Sequence, residues 1–291
     1  MKDNGNNPSV RIETPPAQRV RASGPILILA VLFVVGAFLT WYFTWFGRNL
    51  SDADISQYLV DEKHPRRVQH ALLQIQHRVE RGDPSAKQWY PQIMNLSGHS
   101  ETEFRLTVAW LMGFDNKSEE FHQSLLKLIK DPEPIVRRNA ALALVRFNEP
   151  AGRHDLLSVL VAYEIKAPAH GVVASVLPEG SEVVRGTLVG RITQTGGTVS
   201  EVRSPLPGRI ERIVMQTGSS VSSGVTLLTM ISDEDSIWEA LRGLALIGQP
   251  EDVTVIERYA QSTVQPERIR KQAAATANAI TQRASQTEIV K

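Results

Sequence analysis

The chain has 291 residues, with 32 Lys and Arg against 31 Asp and Glu and a formal net charge of +1. That balance gives no electrostatic footprint for nucleic acid, and 42% hydrophobic with 22% charged residues is the composition of globular protein. With no cysteine in the sequence, disulfides, thiolate nucleophiles, Cys-ligated zinc and iron–sulfur clusters are excluded.

Residues 1–23, with Asn, Pro, Gly and few apolar side chains, read as a disordered tail. From Pro25 to Phe46 the sequence carries no charge. A helix of that length rises about 33 Å, which matches a hydrocarbon core of about 30 Å. Trp41, Tyr42, Trp45 and Phe46 crowd its end, as aromatic rings do at headgroups. A cleaved signal peptide would have a shorter apolar core ending in small residues. The pattern therefore predicts a single transmembrane helix over 24–47. Arg11, Arg19 and Arg21 precede it and only Arg48 closely follows, which places the C-terminal region on the exported side of a bacterial inner membrane, in the periplasm.

Beyond it the apolar period is helical. At Asp131-Pro132 the sequence opens a helix with a cap and a first-turn proline. Val136, Ala140, Ala143 and Leu144 form its apolar stripe. Asn148-Glu149-Pro150 breaks it, and Leu156, Leu157 and Leu160 start the stripe of a second helix. This stretch resembles a HEAT repeat, including the Val136-Arg137 pair and the small Ala140 and Ala143. Weaker units follow His64-Pro65 (Val68, Ala71, Leu72) and Ser100-Glu101 (Phe104, Arg105, Val108, Leu111). Downstream, Ile237, Ala240, Leu244 and Gly248-Gln249-Pro250 repeat the plan of 137–150 at a shift of 100 positions. Ile269-Arg270 with Ala273 and Ala274 opens a further unit. One such unit cannot bury its own apolar face, so the units should stack.

Between Tyr163 and Ile231 the period changes to short strands separated by turn residues. The segment is internally doubled. Ala167-Pro168, Gly171, Val172, Gly180, Val183 and Gly186 correspond to Ser204-Pro205, Gly208, Arg209, Gly218, Val221 and Gly224. This pattern resembles the biotinyl/lipoyl domain and the barrel-sandwich hybrid of HlyD-type periplasmic adaptors. In a carrier domain, the resemblance implies, the modified Lys sits on the turn joining the halves. Here that turn, 193–200, holds Gly196-Gly197 and no Lys, and Lys166 lies at the start of the first strand. No biotin, lipoate or other cofactor is expected. Nor is there room between Ile192 and Val202 for the helical hairpin of efflux adaptors.

Candidate chemistry is sparse. His70 and His77 share a helical spacing but lack a third ligand. Glu119-Glu120 and Asp233-Glu234-Asp235 read as charges at helix starts. Arg137 and Arg138 read first as caps or bridges of neighbouring repeats, and are also the candidate partner-binding residues. No catalytic or metal residue is assigned.

The expectation is an α+β multidomain chain. It has a tail over 1–23, a transmembrane helix over 24–47 and HEAT-like repeats over 48–162. A barrel-sandwich hybrid covers 163–231, HEAT-like repeats 232–283 and a second tail 284–291. Its expected function is a membrane-anchored, non-enzymatic scaffold or adaptor for other membrane or periplasmic proteins, touching lipid through residues 25–46. The alternative is an accessory subunit of a HlyD-type efflux, secretion or energy-transducing complex.

Overall fold

The computed structural model describes residues 24–44 and 49–289, with side chains over 24–40 and 49–286. The chain divides into two compact units, Met1–Asn49 and Leu50–Lys291. In the first, helix α1 spans Gly24–Thr44. Among the described residues no helix is long and apolar enough to cross a membrane. The transmembrane helix expected over 24–47 is therefore corrected, and the single-pass inner-membrane location falls with it. The tail over 1–23 lies outside the described residues, as do the arginines that set the orientation and the aromatics Trp45 and Phe46.

The second unit is mostly helical with two small antiparallel sheets, which corrects the fold class as first drawn. Its helices are α2 (Asp52–Leu59), α3 (Pro65–Glu80), α4 (Tyr90–Leu96), α5 (Thr102–Met112), α6 (Glu119–Leu128), α7 (Pro134–Arg146) and α8 (Arg153–Ser158). A capping box starts α2: the Ser51 hydroxyl accepts from the Asp54 amide, and the Asp54 carboxylate accepts from the Ser51 amide. Helix α7 begins two residues later than Asp131-Pro132 suggests, with Glu133 at the cap position and Pro134 in the first turn. Beyond its last residue, Arg146, Asn148 turns the chain: its φ of 56° lets the Glu149 amide return to the Leu144 carbonyl. Val68, Leu72, Ile75, Trp89, Phe104, Val108, Phe121, Leu125, Val136, Ala140 and Leu144 form one continuous core across α2–α7.

A β segment follows. Its strands are β1 (Tyr163–Lys166), β2 (Gly171–Val176), β3 (Glu182–Val183), β4 (Leu188–Thr193), β5 (Val199–Arg203), β6 (Gly208–Ile213), β7 (Ser220–Val221) and β8 (Thr226–Ser232). They form two four-stranded sheets ordered β1-β8-β6-β3 and β5-β4-β2-β7. Shifting each strand number of the first order by four, counted cyclically round the eight strands, gives the second, so the doubled sequence is doubled in space. Gly171 and Gly208 occupy matching places at the starts of β2 and β6. A Cβ at Gly171 would lie 2.3 Å from the Thr193 carbonyl oxygen, and one at Gly208 2.2 Å from that of Ile231. Only glycine permits so close a backbone approach.

The chain then returns to helix: α9 (Glu234–Ile247), α10 (Val253–Gln261) and α11 (Glu267–Ile289). Helix α11 continues through 284–289, into the tail expected over 284–291; Thr281, Gln282, Arg283 and Ala284 are compatible with helix, and nothing there breaks it. The units before and after the β segment match in construction. A 3-10 turn at Pro150–Gly152 precedes α8, and one at Pro250–Asp252 precedes α10. These blocks share a second core, in which Ala141, Leu156, Val159 and Leu160 meet Ile237, Leu241, Leu244, Ile256, Ala273 and Ile280. Gly243 makes the approach close, since a Cβ there would lie 2.7 Å from Leu156 Cδ1. Tyr259 donates its hydroxyl to the Leu160 carbonyl at 3.0 Å, and Arg153 reaches both Glu251 and Asp252 at 2.9 Å. The β segment leaves and re-enters this helical stack through adjacent strands, Tyr163 lying opposite Met230.

Candidate partner-binding groove

Helix α7 takes part in every packed region of the second unit. Ala140 and Leu144 face the first core, Ala141 the second, and Ile135 packs against both the first core and the β segment. The two candidate arginines sit on this helix, and both are engaged within the chain. Arg137 donates from Nη1 to the carbonyls of Asp131 and Pro132 at 2.7 and 3.0 Å, and from Nε to Asp155 Oδ1 at 3.1 Å. Arg105 does the same one repeat earlier, binding the His99 and Ser100 carbonyls and forking onto Asp131 at 2.7 and 3.0 Å. Each arginine closes the loop before its own helix; Arg105 then pins the start of the next repeat at Asp131, whereas Arg137 ties α7 to α8 within its own repeat.

Arg138 is 6% exposed, with Nη2 donating to Ser232 Oγ at 3.3 Å. Burial pulls its guanidinium down to about 10, against smaller opposing effects from Asp233, Tyr163 and Asp155. It therefore stays charged at neutral pH and joins α7 to the end of β8 rather than facing solvent. A further contact between the helices and the β segment is the ion pair of Arg185 with Glu103.

The open surface of the helical stack is a groove of about 410 Å³ between α7 and α9, with α5 and α11 at its ends. Leu142, Val145, Gly243 and Leu246 supply apolar lining, and Leu246 is 60% exposed. Arginines stand over aromatic rings around it. The Arg146 guanidinium lies 5.4 Å from the Trp110 ring centre and 4.3 Å from that of Phe114. Arg242 and Arg268 stack on Trp238 at 4.5 and 4.4 Å. Glu239 lines the same groove; desolvation, then the nearby Asp235, raise its carboxyl above the ordinary range. None of these residues was singled out by the sequence. The available signal was the i,i+4 pairing of Trp110 with Phe114 and of Trp238 with Arg242, which is ordinary on any helix.

The β segment has a cleft of its own, about 590 Å³, between edge strands β1 and β5. Its walls are related by the internal doubling: Glu164, Ile165, Lys166 and Pro168 on one side, Glu201, Val202, Arg203 and Pro205 on the other. Lys166 pairs with Glu164 at 3.7 Å and Arg203 with Glu201 at 2.6 Å. At the joint between halves, Gly196 and Gly197 take φ of 106° and 87°, closing a hairpin in which the Gln194 amide reaches the Thr198 carbonyl.

The remaining candidates are dispersed. His70 is buried beside Gln74, while His77 is exposed. Among the described residues no group of three or more His, Asp or Glu could hold a metal ion. Glu119 and Glu120 occupy the first turn of α6, and Asp233 caps α9 by accepting from the Ser236 amide.

A HEAT-repeat family model matches residues 90–166. The chain carries HEAT repeats. The match takes in α4 to α8, including the Arg105 bridge to the next repeat, the Arg137 tie between α7 and α8, and the α7 wall of the groove. No curated protein matches this chain. Among solved structures, a single-chain, multi-domain long-chain acyl-CoA carboxylase is similar at 22% identity, over 33% of this chain and 10% of that one. Its TM-score of 0.24 gives that likeness no weight. This chain thus spans about a tenth of that protein's length.

Proposed function

We propose that the chain is a non-enzymatic scaffold or adaptor that engages other proteins through its HEAT repeats. The groove between α7 and α9 carries this reading, because Trp and Arg beside exposed Leu246 are the residue types that dominate protein-binding hot spots. Repeat arrays generally bind partners along such extended surfaces. In the same proposal the β segment is a biotinyl/lipoyl-like domain without carrier activity. Its two interchangeable sheet orders support the first half of that statement, and the glycine pair at the joint, where a carrier lysine would stand, supports the second. Affinity purification of the intact chain beside its Leu246→Asp variant tests the reading. Leu246 is exposed, so the fold should tolerate the charge, and the variant should lose partners that the parent retains stoichiometrically. Identical partner sets from both would overturn it.

A further inference from the structure

The arginines of the helical stack differ in what they hold. Arg105, Arg137 and Arg153 are spent on carboxylates within the stack. Arg146 and Arg242 stand on opposite walls of the groove, both exposed, and among the described residues neither has an ion pair. Each lies with its guanidinium over aromatic rings, which restrains the side chain. Stacking occupies the face of the guanidinium and leaves the N–H edge free, the edge that grips a carboxylate in two parallel hydrogen bonds. Arg268, stacked on the same Trp238 as Arg242, already holds Asp235 at 2.9 Å. Between the free pair lies the apolar lining of Leu142, Val145 and Leu246.

We infer that this groove docks an acidic amphipathic segment of a partner protein, placing an apolar side chain against Leu246 and carboxylates on Arg146 and Arg242. The inference deepens the scaffold reading and rests on it. The sign of the groove follows from its members. Two cations without an ion pair face one carboxylate, Glu239, whose charged form burial disfavours and Arg242 and Arg146 only partly restore. A basic segment would meet both arginines and gain little from Glu239. A purely apolar segment would leave the stacked cations without partners. The volume of about 410 Å³ lies at the lower end of the roughly 300–1,000 Å³ of sites that enclose a small ligand, and suits one anchoring side chain better than a whole molecule.

The test uses fluorescently labelled synthetic peptides and the full chain, read by anisotropy at low and high salt. One peptide is an amphipathic helix of Leu, Ala and Glu, a second replaces Glu by Lys, and a third is poly-glutamate. The Leu/Glu peptide should bind saturably and weaken with salt. Arg146→Glu with Arg242→Glu should reduce its affinity at least tenfold and raise that of the Leu/Lys peptide. Arg242→Lys, which keeps charge but loses the planar fork, should fall between. Unchanged helical circular dichroism in each variant shows that the fold survives. Should the double reversal unfold the chain, Leu246→Ala must still weaken the Leu/Glu peptide. Absence of saturable Leu/Glu binding, or equal binding of poly-glutamate, would overturn the inference. The wider reading is tested separately: if Leu246→Asp loses the native partners while no acidic peptide binds, the groove still docks protein but not by this chemistry.

Discussion

Leu244 is fully buried in the core that joins the helices on either side of the β segment. Replacing it by alanine removes the apolar transfer energy and leaves a cavity, a loss of about 3 kcal/mol within the usual 2–5 for Leu→Ala. With a urea slope near 3 kcal/mol/M for a unit of this size, the midpoint should fall by about 1 M at unchanged slope. The informative measurement is amide hydrogen exchange resolved by peptide. Ala141, Leu156, Val159 and Leu160 share the core with Leu241 and Leu244, so α7–α8 and α9–α11 should lose protection together. Excising 163–231 should not undo this. Tyr163 and Met230 face each other across β1 and β8, so their Cα atoms stand about 5 Å apart and a Gly-Ser linker of about three residues bridges them. The excised chain should unfold in one helical transition. Wild-type protection in α7–α8 of Leu244→Ala, or two transitions in the excised chain, would refute a common core.

Gly171→Ala and Gly208→Ala should each destabilise the β segment by more than about 1 kcal/mol and to similar extents, because both force a Cβ into a carbonyl oxygen at matching positions; thermal melts of the two variants side by side check this. Arg138→Met should be neutral or stabilising by up to about 3 kcal/mol in urea unfolding, since one bond to Ser232 is small return for a buried guanidinium. Asp131→Ala, by contrast, strands Arg105 and should cost about 3–5 kcal/mol in the same assay. The carboxyl of Asp52 is held below its ordinary 3.8 by hydrogen bonds from Arg78 and Gln88. The folded state therefore binds fewer protons than the unfolded one, and this stabilisation is present above 3.8 and lost as pH falls through the folded value. Acid titration of Asp52→Asn should show a smaller loss than the parent.

The parts of the fold that the sequence displayed most clearly were those with local causes. Val136, Ala140 and Leu144 are buried along one face of α7, and Asn148 turns the chain where Asn148-Glu149-Pro150 announced a break. The glycine spacing of 171–186 and 208–224 was the trace of two sheets with one connectivity. That correspondence runs further back than Pro168 and Pro205: Glu164-Ile165-Lys166 matches Glu201-Val202-Arg203, and these residues face one another across the cleft. The match was hidden because it preserves charge and shape rather than glycine. The groove was not legible at all. Arg146 and Arg242 belong to helices separated by the whole β segment, and their common wall exists only once α7 and α9 have packed. An apolar run, conversely, was read as a span, although no helix among the described residues is long and apolar enough for one.

Because β1 and β8 are antiparallel neighbours at the exit and return points, the β segment hangs off the load path of the polypeptide. Tension along the chain is carried first by the helices that close the path, through Gly243 against Leu156, Tyr259 against Leu160 and Arg153 against Asp252. Only when these part does force reach Tyr163 and Ser232. It then pulls the two strands apart from one end, breaking their hydrogen bonds one after another rather than all at once. Single-molecule stretching should therefore record the helical rupture before any β extension, and the β segment should then open at the lower force of an unzipping hairpin. In a chain pulled from both ends, the helical joint is the fuse and the β segment is slack held in reserve.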